Sequence, residues 1–127
     1  MANSFGSIGI DIVEVGRVRK AVGKNPAFLK RFFTKDEIAY CWKSKNKFER
    51  IAARFAAKEA VIKACGVKGI PLKKILIVKE KSGKPFVEIK DKRFRNTRFE
   101  ISLSHTKEYA CAVVVRLVGR QPSVGGN

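Results

Sequence analysis

Arg54-Phe55-Ala56-Ala57-Lys58-Glu59-Ala60-Val61-Ile62-Lys63-Ala64 is the stretch on which the reading of this chain turns. It closes a longer segment, from Phe48 to Ala64, that is rich in Ala, Ile, Phe, Lys and Glu and lacks Gly and Pro, which predicts the strongest helix of the chain, with Gly66 placed to cap its end. Ala53, Ala56, Ala57, Ala60 and Ala64 are small enough to let that helix lie close against a sheet. Phe55, Glu59 and Lys63 recur at i, i+4 and i+8 and therefore share one stripe. That stripe reads in two ways: Glu59 and Lys63 form a surface pair one turn apart, or Glu59 is carried inward against a strand.

The strand that the helix needs lies upstream. In Ser7–Val13, Ile8, Ile10 and Ile12 alternate onto one face and Gly9, Asp11 and Val13 onto the other. Between strand and helix the pattern predicts three short helices: Glu14 to Val22 closed by Gly23, a second entered at Pro26 and running to Phe33, and a third over Asp36–Trp42. The third opens on Thr34-Lys35-Asp36-Glu37, which has the form of a capping box. After the long helix the period falls to two. Lys74–Lys81 and Pro85–Lys90 read as a hairpin turned by Ser82-Gly83-Lys84, and Phe99, Ile101 and Leu103 mark a further strand. Tyr109–Leu117 is almost continuous in Ala, Cys and Val, the pattern of a strand buried on both faces. The expectation is an α+β domain, an antiparallel sheet packed on one long helix, over residues 1–118, with a Gly- and Pro-containing flexible tail over residues 119–127.

Composition narrows the function. The 127 residues carry 28 Lys+Arg against 11 Asp+Glu, a formal net charge of +17, and 45% of them are apolar. So basic a surface calls for an acidic partner, whether nucleic acid, anionic lipid, a polyphosphate or an acidic protein. The longest uninterrupted apolar run, Tyr109–Val115, is too short to span a bilayer. Met1–Gly6 lacks the basic and apolar regions of a secretory signal, so no export is expected. Cys41, Cys65 and Cys111 are odd in number and form no C-x-x-C pair, which argues against a disulfide framework or a zinc finger and for a reduced, cytoplasmic protein.

Few residues offer chemistry. Asp11 interrupts a run of isoleucines, and Glu59 is the carboxylate that the long helix can bring beside it. Two hard carboxylate oxygens suit Mg2+, which keeps waters and takes substrate phosphate for the rest of its shell. The same residues also fit a structural carboxylate and a surface ion pair. His105, the only histidine, ends a strand in Ser102-Leu103-Ser104-His105-Thr106-Lys107, where it is either a satisfied loop side chain or a phosphate contact. Ser82-Gly83-Lys84-Pro85 is a hairpin turn that also lets backbone and ammonium approach a phosphate, although it lacks the Walker spacing. Between Arg17 and Lys35, cations surround Val18, Val22, Phe28, Leu29, Phe32 and Phe33, either as a solvated face or as a basic rim around apolar anchors.

Taken together, these segments resemble the holo-[acyl-carrier-protein] synthase family, the short bacterial 4′-phosphopantetheinyl transferases. The matching pieces are Ile8-Gly9-Ile10-Asp11-Ile12-Val13-Glu14-Val15 with Arg17-Val18, Arg31-Phe32-Phe33-Thr34 with Glu37, and Arg54-Phe55-Ala56-Ala57-Lys58-Glu59-Ala60 with Lys63-Ala64 and Gly66. Gly83-Lys84-Pro85 and Ser102-Leu103-Ser104-His105-Thr106 with Tyr109-Ala110 complete the set. Ser7, where the family often has Gly, and Ala53, where Gly is frequent, are departures that do not touch the carboxylates.

The resemblance implies transfer of 4′-phosphopantetheine from coenzyme A to a serine of apo acyl carrier protein, giving adenosine 3′,5′-bisphosphate, in support of fatty acid biosynthesis. It also implies a homotrimer with coenzyme A between neighbouring subunits. Asp11 and Glu59 would hold Mg2+, with Lys63 beside them on a phosphate oxygen and Glu59 as candidate general base. Arg54, Lys63, Gly83, Lys84, Pro85 and His105 would line coenzyme A, and Arg17, Lys24, Phe28 and Arg31 would receive the acidic carrier protein.

Two rival readings carry different expectations. A nucleic-acid-binding module would use the +17 charge, but the chain has no RNP-type strand, no KH loop and only three Tyr and Trp residues for stacking, so no nucleic-acid or membrane partner is expected. A non-catalytic binder of carrier protein would need the basic helices and not the Asp11–Glu59 pair.

Overall fold

The computed structural model describes residues 3–119, and the tail expected over 119–127 lies outside it apart from Gly119. Strand β1 spans Asn3–Glu14 and is followed by helices α1 (Val15–Lys24), α2 (Phe28–Phe32), α3 (Lys35–Trp42) and α4 (Lys47–Cys65). Strands β2 (Ile75–Lys79), β3 (Pro85–Ile89), β4 (Arg98–His105) and β5 (Tyr109–Gly119) complete the chain. The order is the one the periodicities predict, with shifted ends. Glu14 closes β1 instead of opening α1, and α1 runs one residue past Gly23 to an Asn25 cap. Pro26 lies in the turn ahead of α2.

The strands form two sheets where one was expected. β1, β5 and β4 make a three-stranded antiparallel sheet in that order, and β2 and β3 pair as a separate antiparallel hairpin. Glu80 and Lys84 close the hairpin turn through a 2.9 Å backbone hydrogen bond, with Gly83 in the left-handed region at φ 90°.

Helix α4 lies across the inner face of the larger sheet, where Gly9 pairs with Val114 and Asp11 with Ala112. The approach at Gly9 is so close that a Cβ there would stand 1.9 Å from the carbonyl oxygen of Ala60. The alanines of α4 exist for this contact, since Ala56, Ala57 and Ala60 are fully buried. Ser7 finds a use that glycine would not supply. Its hydroxyl donates to the Ala64 carbonyl and accepts from Arg116 Nε at 2.9 Å, and Arg116 Nε also reaches Ala64 at 3.1 Å. A C-terminal carbonyl of α4, left without a helical partner, is satisfied there.

α4 serves two apolar cores. Its second half packs with Ile70, Ile75, Ile77, Ile101 and Val114, and its first half with Val15, Val18, Leu29, Phe33 and Cys41. The capping box forms as predicted, with Thr34 Oγ1 accepting from Glu37 N at 3.2 Å and Glu37 Oε1 from Thr34 N at 2.9 Å.

The sheet's other face departs from expectation. β5 is buried on one side only: Ala110, Ala112 and Val114 face α4, while Cys111, Val113 and Val115 are half-buried on the outer face. Opposite them, Ile8, Ile10 and Ile12 are 56%, 64% and 65% exposed. No element within the described residues covers this apolar face.

Candidate active site

The Gly9–Ala60 contact delivers Asp11 and Glu59 to one place. Asp11 sits two residues along β1 on the same inner face, and Glu59 immediately precedes Ala60 on α4. Each carboxylate then feels the other. Partial burial pushes the Glu59 carboxyl above its ordinary value, the negative charge of Asp11 pushes it further, and the ammonium of Lys63 pulls it back. Lys63 does not pair along the helix with Glu59. It crosses to β1, where its Nζ donates to the Ile10 carbonyl at 2.9 Å and lies 3.4 Å from Asp11 Oδ1. Among the described residues no ion pair includes Glu59, and no group of three or more His, Cys, Asp and Glu side chains converges. Two carboxylates with one nearby ammonium leave a net negative charge. That donor set fits a hard divalent cation completing its shell from water and a ligand's phosphates.

A second cleft, of about 300 Å³, opens beside the first half of α4. Arg54, Gly83, Pro85 and His105 line it, as do Arg50 and Lys79. His105 Nδ1 is 2.8 Å from Glu49 Oε1, so the opposite ring nitrogen is free for a ligand. Arg54 is almost fully buried and stacks over Tyr40, its guanidinium carbon 4.6 Å from the ring centre. Burial works to raise the Tyr40 hydroxyl, but Lys79, which hydrogen-bonds it, together with Arg54 and Arg50 outweighs that and holds it below its ordinary value. Lys84 is turned away from this cleft, its ammonium 3.3 Å from Glu100.

Arg50, Lys79, Tyr40 and Glu49 were not among the sequence candidates. Arg50 was open to discovery, because it lies one turn before Arg54 on the same helix. Lys79 reaches the cleft, and Glu49 reaches His105, only through chain-distant packing.

A third and larger cleft, of about 630 Å³, runs between α1, α2 and α4. Arg17, Val18, Phe28, Phe55 and Tyr109 are among its walls. Phe28 packs on Phe32 and Phe55, with ring centres 5.1 and 6.5 Å apart. Arg31 is exposed beside it on α2, its guanidinium carbon 5.4 Å from the Phe32 ring centre, and Lys24 ends α1 in solvent. Thus Arg17 and Phe28 share the cleft, while Lys24 and Arg31 do not line it.

A carboxylate pair is thus held between a long helix and an antiparallel strand, flanked by a cationic cleft. The profile of the 4′-phosphopantetheinyl transferase superfamily matches residues 7–114, and the chain belongs to that family. Its relatives narrow the group to the holo-[acyl-carrier-protein] synthases. One from Thermodesulfovibrio yellowstonii is 46% identical over 110 residues, covering 85% of this chain and 95% of the relative. Another, from Clostridium tetani, is 40% identical over 113 residues, covering 83% and 90%. The crystal structure of Helicobacter pylori holo-[acyl-carrier-protein] synthase in complex with coenzyme A superposes with a TM-score of 0.75 at 37% identity, over 86% of this chain and 98% of that one. The Bacillus anthracis synthase, solved with CoA (3′,5′-ADP), gives 0.79 at 33% identity, over 93% and 100%.

Proposed function

We propose that this chain is a holo-[acyl-carrier-protein] synthase. It moves 4′-phosphopantetheine from coenzyme A to a serine of apo acyl carrier protein and releases adenosine 3′,5′-bisphosphate. The serine oxygen forms a new bond to the phosphorus of the pantetheine phosphate. The bond from that phosphorus to the bridging oxygen breaks, and the leaving phosphate takes the electron pair. The observation that carries this reading is the meeting of Asp11 and Glu59 across the α4–β1 contact.

Each side chain then has a task. Asp11 and Glu59 would hold Mg2+. When bound, that ion offsets the negative charge that develops on the diphosphate. Lys63, already beside Asp11, turns its ammonium to a phosphate oxygen. Glu59 is the candidate general base for the serine proton, acting through a water held at the site. Arg54, His105 and the Gly83-Lys84-Pro85 turn line the nucleotide half of coenzyme A, supported by the cationic cleft in which Arg54, Gly83, Pro85 and His105 meet. Lys84, paired with Glu100 in its own chain, joins them by exchanging that partner for a phosphate.

Arg17, Lys24, Phe28 and Arg31 receive the acidic carrier protein, the cations speeding encounter and Phe28 serving as apolar anchor. The open isoleucine face of β1 supports a homotrimer, because a patch of that kind on a protein of this size calls for a partner. Coenzyme A then lies between neighbouring subunits. The proposed enzyme is a single domain over residues 1–118, cytoplasmic, and a participant in fatty acid biosynthesis. Three free cysteines are consistent with a reducing compartment, and among the described residues no helix is long and apolar enough to cross a membrane.

The test is direct. The protein is mixed with coenzyme A, Mg2+ and an apo acyl carrier protein, and the carrier is weighed by mass spectrometry. A gain of one phosphopantetheine, lost in Asp11→Ala and in Glu59→Ala, is expected. No gain with the wild-type protein overturns the reading.

A further inference from the structure

Lys58 is completely buried in the middle of α4, next to Glu59 in the chain and about 100° round the helix from it. Its Nζ donates to Glu37 Oε1 at 2.7 Å, to the Phe32 carbonyl at 2.8 Å and to the Leu72 carbonyl at 3.0 Å. All three ammonium protons are therefore used. The ammonium also lies 4.6 Å from the centre of the Phe33 ring. Glu37 is fixed in turn by the capping box with Thr34. One charge on α4 thus holds the end of α2, the start of α3 and the turn before β2.

Stability alone is a poor reason for such an arrangement, because an apolar pair of similar volume is often as stable as a buried ion pair. What the ion pair does define is position. α2 has five residues, too few to hold a place by its own hydrogen bonds. It nevertheless carries Phe28 and Arg31. Two ties fix it to α4. One is aromatic: Phe28, Phe32 and Phe33 surround Phe55 at ring-centre distances of 6.5, 5.6 and 6.4 Å, and Phe55 lies one turn before Glu59. The other is the Lys58 ammonium on the last carbonyl of α2.

We infer that Lys58, through Glu37 and the Phe32 carbonyl, is a positioning residue that sets α2 against Glu59, so that a carrier protein seated on Phe28 and Arg31 presents its serine to the carboxylate pair. This rests on the transferase reading above.

The experiment compares wild type, Glu37→Gln, the double variant Lys58→Met with Glu37→Leu, and a core control, Val61→Ala, all assayed below their melting temperatures. Steady-state transfer is measured with carrier protein and coenzyme A varied in turn. The double variant removes both charges together, so it leaves no unpaired charge buried while losing the tie. Its KM for carrier protein is expected to rise at least fivefold and its kcat to fall, with KM for coenzyme A changed less than twofold. Glu37→Gln, which keeps an acceptor oxygen, should lie between it and wild type, and Val61→Ala should keep the wild-type KM for carrier protein. Carrier KM within twofold of wild type in the double variant overturns the inference. If the double variant does not fold, the same result in Glu37→Gln overturns it. Absence of transfer by the wild-type protein would instead remove the transferase reading itself.

Discussion

Replacing Gly9 by alanine tests how the fold makes the site. The added Cβ would sit 1.9 Å from the Ala60 carbonyl oxygen, about 1.5 Å short of the 3.4 Å at which ordinary contact begins. The obstacle is helix backbone, so no side chain can swing aside. α4 must lift from β1, or β1 must bend. Overpacking of this kind costs about 3 kcal/mol, the upper end of the usual range, because the clash is with a rigid element. For a chain of this length that corresponds to a melting temperature lower by about 10 °C. The shift opens the gap between Asp11 and Glu59, and a displacement near 1 Å at a reacting site costs about 100-fold in rate. Gly16→Ala on α1 is the control, because nothing lies within 4 Å of its added Cβ. The assays are thermal melting followed by circular dichroism and transfer of phosphopantetheine measured by carrier mass. A Gly9→Ala protein that melts within about 2 °C of wild type and transfers at the wild-type rate would refute the claim that this contact assembles the carboxylate pair.

The remaining predictions address charge and surface. Burial and the Asp11 charge raise the proton affinity of Glu59, so the folded protein binds that proton more tightly than the unfolded chain and loses stability as pH rises through the raised value. Without metal at neutral pH, Glu59→Gln should therefore melt higher than wild type, with the gap closing in acid, and calorimetry across pH checks this. Wild-type transfer should fall in acid, because a proton on Glu59 competes with the proposed cation, and a pH–rate profile reads this out. Ile10→Asp, at a position 64% exposed on the open sheet face, should turn the proposed trimer into monomers in sedimentation and weaken coenzyme A binding. An unchanged assembly would show that this face is not the interface. Arg31→Glu should raise KM for carrier protein about tenfold at low salt and less at high salt, as expected for a rim charge; a salt-independent KM equal to wild type would remove Arg31 from the docking surface.

The legible parts of this fold are the local ones. α4, the Thr34–Glu37 capping box and the Ser82-Gly83-Lys84 turn follow from residues within a few positions of one another. Alternation in Ser7–Val13 separates two faces but does not say which one turns inward. The isoleucines face out because the helix comes too close for anything larger than Gly9 beneath Ala60. β5 reads as doubly buried because its outward residues are as apolar as its inward ones. The split into two sheets was hidden for a related reason, since β3 and β4 carry strand patterns that do not name their partners. Lys58 is the clearest loss. A lysine beside a glutamate on a helix reads as solvated, and its real partner, Glu37, lies 21 residues away.

The same logic explains why a fold would keep two carboxylates together at all. The Glu59 carboxylate resists burial and is repelled by Asp11, so their meeting costs free energy in the absence of a cation. The helix–sheet contact that imposes it is among the most closely packed in the molecule, with Gly9, Ala56, Ala57 and Ala60 leaving no room for a larger side chain. Lys63 offsets one of the two charges through Asp11. The remaining negative charge cannot be relieved by moving apart, because the backbone does not yield, nor by an internal partner, because among the described residues none reaches Glu59. It can be relieved only by what arrives from solution: a proton at low pH, or a divalent cation carrying its own phosphate ligand. The rigidity of an apolar interface thus becomes the selectivity of a polar site, and the substitution most damaging to that selectivity is predicted at a glycine that touches no ligand.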